Sequence, residues 1–375
     1  MARYKLEDSA KEISKTRQKI RSKNLDDKHF CLVPFSTIIL EPDGKVGICR
    51  HKGTEFPIGH IQENSISEIW NGPKAREWRK SFLEGGTGFC TQEIAHRHCN
   101  LCPGNNELLD DIELSEVQTS PILKLTANLN GKCNLQCQMC SVWKKPNGLY
   151  GEDNFWKPAR VEIFPFIKEI DLLSGEPFIQ ADTYRLIDEI HPINPECIWS
   201  FTTNAHWKLT DKVKDKLDKI KIKNMILSVD SFDNETYHKI RYPGNLPTVL
   251  DTIDDLLAYN KTRLERGLSE MRMSLNFLVQ KDNYQEIGNA IDFIESKKIS
   301  PFISFTYLPI EHSLLDFPES KRMDIVLELL NMTTYKILRS MRVINPLIDS
   351  LKGINKAQAL TILQSKLPQE LMAEK

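Results

Sequence analysis

The chain has 375 residues, room for two or three domains at a typical ~150 residues each. Fifty Lys and Arg face 51 Asp and Glu, a formal net charge of −1, so nothing in the composition suits a protein that coats nucleic acid. No apolar run approaches the ~20 residues of a membrane span, and the N-terminus lacks an apolar stretch of signal-peptide type, so the expected location is cytoplasmic with no membrane partner. Nine cysteines in a reducing compartment then point to metal or catalysis rather than to disulfides.

Residues 1–28 hold nine Lys or Arg and five Asp or Glu. They read as a solvated helix, or as a basic tail for an acidic partner. Residues 29–112 follow as a small α+β unit. Phe35–Leu40, the turn at Asp43-Gly44 and Lys45–Cys49 read as a β-hairpin, since Asp-Gly between apolar runs is a strong turn signal. The hairpin places Cys31 and Cys49 near its open end. Ser65 and Glu68 form a capping box that opens a helix, and Pro73 opens another. Cys90 and the pair Cys99 and Cys102 close the unit. These spacings suit either zinc or an iron–sulfur cluster.

Residues 113–310 alternate strand and helix. Apolar, β-branched runs fall near 122–127, 169–173, 198–202, 224–229, 272–279 and 302–308, with helical spacing between them, as over Thr248–Leu257. Alternation of this kind implies a parallel sheet. The fold class expected is α/β: a partial (β/α)6 barrel behind the N-terminal cluster-binding unit, with a helical extension over 311–375 covering the barrel's open side. Polar motifs come just after the strands, where β/α barrels carry their active sites. Cys197 begins a strand and reads as packed core.

The sharpest motif is Cys133-Asn-Leu-Gln-Cys137-Gln-Met-Cys140, a C-x3-C-x2-C run. Three thiolates on one short loop can take three irons of a cubane and leave the fourth open to another molecule. This loop, after the strand Ile122–Ala127, resembles the radical S-adenosylmethionine (radical SAM) family. Further residues resemble that family's motifs in order. Ser174-Gly175-Glu176-Pro177 is similar to its Gly-Gly-Glu-Pro turn, with Ser174 in place of the first glycine; in the family this turn holds the methionine ammonium of SAM. Phe201–Asn204 resembles the third strand's end. Ser228 and Asp230 fall at the fourth strand's end, where the ribose hydroxyls bind. Arg241 matches an arginine often found near the SAM carboxylate.

The resemblance implies a [4Fe–4S] cluster at Cys133, Cys137 and Cys140, SAM as co-substrate, and reductive cleavage to a 5′-deoxyadenosyl radical that abstracts hydrogen from a substrate C–H bond. It implies a flavodoxin- or ferredoxin-type electron donor. The segment before the barrel resembles the twitch domain, the shorter relative of the SPASM domain, through the C-x12-G-x4-C spacing from Cys31 to Cys49. That likeness implies a second, auxiliary [4Fe–4S] cluster with Cys31, Cys49, Cys99 and Cys102 as ligands; a zinc site stays open. Such domains usually follow the barrel, and this one precedes it. Cys90 is left as ligand, hydrogen donor or bystander. Glu311 and His312, after the sixth strand, are catalytic candidates.

The expected reaction is net oxidation or rearrangement of a small polar substrate, an oxidoreductase reading with the auxiliary cluster as electron acceptor or relay. Peptide modification is the alternative. Peptide modifiers often carry a winged-helix leader-binding domain, for which 28 residues are too few. A non-catalytic iron–sulfur carrier would have no use for the Gly-Glu-Pro and Ser-x-Asp strand ends. A tRNA modifier would be expected to carry surplus basic charge.

Overall fold

The computed structural model describes residues 14–15, 17–27, 30–49, 56–86 and 108–367. Its centre is one nine-stranded sheet in the order β3-β2-β1-β4-β5-β6-β7-β8-β9. The strands are β1 (Thr37–Leu40), β2 (Lys45–Gly47), β3 (Gly59–His60), β4 (Lys124–Ala127), β5 (Glu169–Leu172), β6 (Ile198–Thr203), β7 (Lys221–Ser228), β8 (Arg272–Val279) and β9 (Ser300–Phe305). From β4 to β9 every neighbouring pair is parallel. The sheet is not closed: β3 and β9 are its edges. This is the open, partial barrel expected from the alternation of elements.

The hairpin is part of that same sheet. β1 pairs antiparallel with β2 but parallel with β4, with Thr37 opposite Lys124 and Leu40 opposite Ala127. Phe35 and Ser36, expected in the first strand, belong instead to a helical turn, Val33–Ser36, where Pro34 fits an early helical position. Gly44 at the hairpin tip has φ +79°, and a side chain there would run into the His60 ring. His60 Nε2 meets the Asp43 carbonyl at 2.9 Å, so the histidine braces the turn. The capping box forms as expected: Ser65 and Glu68 bond each other's backbone N–H at the start of Ile66–Trp70. The helix opened by Pro73 runs to Leu83.

Alternation along β8 sorts the two faces of the barrel. Met273, Leu275, Phe277 and Val279 are buried in the core that the outer helices cover. Ser274, Asn276 and Leu278 point the other way and are half-buried. On that concave face Ser304 donates to Asn276 Oδ1 at 2.6 Å, and Asn224 donates to Ser200 at 3.2 Å. The lumen is therefore polar. At its floor, Glu169 is gripped by Lys124 and Lys223, each at 3.1 Å. Beyond β9 the chain forms the helices Glu319–Leu330, Thr334–Arg339, Met341–Asp349 and Gly353–Lys366, and Arg342 stacks over Phe302 of the edge strand at 4.5 Å. Among the described residues no helix is long and apolar enough to cross a membrane.

Candidate active site

The loop that bears Cys133, Cys137 and Cys140 leaves the carboxyl end of β4 and is fixed from several sides. Gly131 N–H donates to Asn147 Oδ1 at 2.6 Å. Gln136 N–H donates to the Tyr242 carbonyl at 2.5 Å and Gln138 N–H to the Ile240 carbonyl at 3.0 Å, which docks the loop on the end of the helix Asn234–Ile240. Cys133 Sγ accepts from Leu135 N–H at 3.4 Å and from Asn204 Nδ2 at 3.6 Å. Cys137 is buried, with Arg241 Nη1 3.8 Å from its sulfur, while Cys140 is exposed. Burial pushes the Cys133 thiol up, and pushes Cys137 to about 12 against the pull of Arg241. Left alone, these are protonated thiols; a cationic metal reverses that preference.

Arg241 is itself held by Asp230. The two form a buried ion pair at 2.7 Å, and Asp230's other oxygen accepts from Leu278 N–H at 2.9 Å. Burial opposes the charge on Arg241, but Asp230 and Cys137 more than restore it and hold its pKa above the ordinary arginine range. Burial also pushes Asp230 upward, against the pull of Arg241. Both Asp230 oxygens are thus engaged within the chain. Its visible work is to aim a permanent cation at Cys137.

The turn after β5 closes over the loop. Gly175 adopts φ +59°, and a Cβ there would fall 2.2 Å from the Lys132 carbonyl, so only glycine lets the two segments meet. Glu176 N–H donates to that carbonyl at 2.9 Å, and Gln180 Nε2 bridges it (2.9 Å) to the Ser174 carbonyl (2.8 Å). Glu176 is fully buried. It accepts from Asn204 N–H (2.7 Å), Thr203 Oγ1 (2.8 Å) and Phe178 N–H (3.1 Å). Burial still pushes its carboxyl up to about 7. Pro177 begins a single helical turn, Pro177–Ile179. Ser228, at the end of β7, is buried opposite Asn276.

Several buried polar atoms at the strand ends have no hydrogen-bond partner: Asn128 Oδ1 after β4, Ser174 Oγ after β5, Gln280 Nε2 after β8 and Thr306 Oγ1 after β9. Each such orphan costs about 1–3 kcal/mol unless a ligand or water satisfies it. They gather at the carboxyl ends of the parallel strands, the end from which the cysteine loop leaves β4. Two surface cavities of about 320 and 400 Å³, one beside Trp70 and Phe166 and one beside Lys214 and Tyr259, lie away from all of these residues.

The hairpin cysteines lie elsewhere. Cys49 comes two residues after β2, which runs back toward the end where β1 and β4 start, and Cys31 lies just ahead of the turn that feeds β1. Both are half-buried. Cys90, Cys99 and Cys102 lie outside the described residues. Cys197 is in the core, its thiol pushed by burial to about 12. Glu311 and His312 sit on a short turn, Ile310–His312, after β9. Glu311 is exposed and His312 half-buried; burial opposes the charge on Asp282, but Lys239 and Gln138, with a smaller pull from His312, hold that carboxyl below its ordinary range.

Family models match both parts of the chain: an iron–sulfur cluster-binding domain (SPASM) over residues 31–103, and the radical SAM superfamily over residues 128–294. The chain carries a radical SAM domain. Its SPASM domain precedes the radical SAM domain. Among curated proteins it is similar to the GTP 3′,8-cyclase of Staphylococcus haemolyticus, 25% identical over 201 residues that are 49% of this chain and 54% of the cyclase. The chain spans about half the length of the cyclases it matches. Among solved structures it is similar to SuiB of Streptococcus suis bound to S-adenosylmethionine, with TM-score 0.37, 20% identity, and coverage of 62% of this chain and 48% of that one. A second is anSMEcpe bound to AdoMet and a peptide, with TM-score 0.41, 14% identity, and coverage of 60% and 63%.

The radical SAM domain implies a [4Fe–4S] cluster and SAM at the barrel, and the SPASM domain implies an auxiliary iron–sulfur cluster. The donor set after β4 fits such a cluster. The three thiols share one short loop and lie within electrostatic reach of one another, which suits a cubane taking one thiolate per iron. The orphaned Ser174 and Asn128 atoms beside them fit a polar co-substrate.

Sequence reasoning missed Asn134, Gln138, Gln180 and the segment Gln280–Asn283. Asn134 Nδ2 donates to the His206 carbonyl at 2.6 Å and Asn134 Oδ1 accepts from Asn204 at 2.9 Å, so it locks the loop to the end of β6. The signal that could have found Gln280–Asn283 is the one that found Asn204 and Asp230: polar residues directly after a parallel strand.

Proposed function

We propose that this chain is a radical SAM oxidoreductase that attacks a C–H bond of a small polar substrate. In this reading Cys133, Cys137 and Cys140 hold the cluster. SAM lies against Ser174, Gly175 and Pro177, Asn204 and Ser228, with Arg241 toward its carboxylate. Glu176 and Asp230 serve by position: the first pins the turn to β6, the second aims Arg241. When bound, the cluster and SAM supply one-electron cleavage of the sulfonium and hydrogen abstraction from carbon. Cys31 and Cys49, with Cys99 and Cys102, hold the auxiliary cluster, which accepts or relays the substrate's electron. The units are 1–28, 29–112, 113–310 and 311–375, and the electron donor is of flavodoxin or ferredoxin type.

The observation that carries this reading is the Cys137–Arg241–Asp230 chain under a ring of orphaned polar atoms at the strand ends. A carrier of electrons alone would need no such pocket. The lumen beside it is lined by Ser200, Asn224, Asn276 and Ser304, which favours a hydrogen-bonding substrate over an apolar one. The test is anaerobic reconstitution followed by dithionite and SAM. The reading expects slow 5′-deoxyadenosine formation without substrate, and a new product mass with a candidate substrate drawn from neighbouring genes. Intact SAM after full iron loading would overturn it. If the substrate that turns over is a peptide, the alternative of peptide modification replaces the small-molecule half of the proposal.

A further inference from the structure

The turn after β8 reaches the cysteine loop by two routes. In the first, Leu278 N–H and Asn283 Nδ2 hold Asp230, at 2.9 Å on its carboxylate and 2.7 Å on its carbonyl, and Asp230 holds Arg241 beside Cys137. In the second, the loop itself reaches across. Gln138, between Cys137 and Cys140, donates through Nε2 to Gln280 Oε1 at 3.1 Å and to Asp282 Oδ2 at 3.0 Å. A primary amide has two N–H donors, and both are used. Gln280 is fully buried, and its backbone N–H is tied to Asn283 Oδ1 at 2.8 Å. Asp282 is steadied on its other oxygen by Lys239 at 2.6 Å, from the helix on which the loop docks. The acceptors are therefore rigid, and they lie more than 140 residues along the chain from the donor.

We propose that Gln138 is a positioning residue: by spanning Gln280 and Asp282 it locks the C-x3-C-x2-C loop onto the β8 turn and so fixes where Cys137 and Cys140 present their sulfurs. The proposal rests on reading those cysteines as cluster ligands. Its physical basis is that a loop of this length is soft unless side chains tie it down, and an amide between two ligands ties both at once. The carboxylate of Asp282 serves here as an acceptor, so an amide oxygen at the same position can replace it.

The experiment compares Gln138→Leu, Asp282→Leu, the double variant and Asp282→Asn. In apoprotein, amide hydrogen exchange over residues 134–140 should quicken about tenfold in Asp282→Leu, the scale of one lost hydrogen bond, and by at least as much in Gln138→Leu, which loses two. The double variant should be no faster than Gln138→Leu, because that change alone already removes both of the amide's bonds. Asp282→Asn should exchange like the parent protein. In reconstituted enzyme, the leucine variants should keep their iron but show an altered EPR signal for the reduced cluster and a smaller change in that signal on adding SAM. Unchanged exchange in both leucine variants, or effects that multiply in the double variant, would overturn the proposal. Should Gln138→Leu fail to fold, Asp282→Leu against Asp282→Asn decides the same question, since it leaves the loop's own sequence intact. Parent protein that binds no cluster would sink the functional reading, while the exchange comparison would still test the strap.

Discussion

Cys31 and Cys49 sit at the opposite end of the sheet from the barrel cysteines. The barrel set follows the carboxyl end of β4, and Cys49 returns toward the end where β1 and β4 begin. The barrel loop is held by side chains from the ends of β6 and β8 and by the Asn234–Ile240 helix, and Cys137 has a guanidinium at its sulfur. The hairpin set relies on a short antiparallel ladder braced by His60. Parallel pairing of β1 with β4 joins them mechanically, yet no residue assigned to SAM comes from the hairpin. On the proposed reading, SAM cleavage belongs to the barrel loop alone and the hairpin cysteines serve a later step.

The sharpest way to break the comparison is Cys140→Ala. Loss of one of three thiolates should release the cluster and abolish 5′-deoxyadenosine formation, measured by chromatography and mass spectrometry after anaerobic reduction. Cys49→Ala should do the reverse: 5′-deoxyadenosine still forms while substrate conversion is lost. Circular dichroism must show that the protein remains folded, because a cluster also ties its ligands together. Full product formation by a folded Cys49→Ala protein would reduce the second site to scaffolding.

Smaller effects sharpen the account of the barrel site. Asp230→Ala leaves Arg241 buried without its carboxylate, which should cost about 3–5 kcal/mol in chemical denaturation. It should also weaken SAM binding through a misaimed Arg241. Glu176 gives a pH effect. Its folded pKa of about 7 lies above the ordinary 4.5, so the folded state keeps a proton that the unfolded state has released between those values. Its contribution to stability is present below pH 4.5 and is lost as pH rises toward 7. In Glu176→Gln that decline should disappear, which paired denaturation curves at pH 5 and 7 will show.

Much of this was legible in the sequence because the features are local. Strand alternation, the Asp-Gly turn and the Ser65–Glu68 box each depend on a few neighbouring residues, and each has its counterpart in the structure. The parallel pairing of β1 with β4 was not legible. It joins segments separated by most of the N-terminal unit and is set by packing, not by local preference. The inward turn of Glu176 and Asp230 was hidden for a similar reason. Their residue types suggest a ligand, while their partners, Asn204 N–H and Arg241, come from other strands and helices. Gln138 carries no signal at all until Asp282 is brought beside it.

The most direct test of the central claim is metal content and EPR on two reconstituted proteins, the parent and the variant with Cys133, Cys137 and Cys140 all changed to Ala. Two cubanes give about eight irons in the parent and about four in the variant. SAM should change the EPR signal of the reduced parent and leave that of the variant untouched. Zinc in place of the remaining iron, or a response to SAM in the variant, would contradict the division of labour between hairpin and barrel.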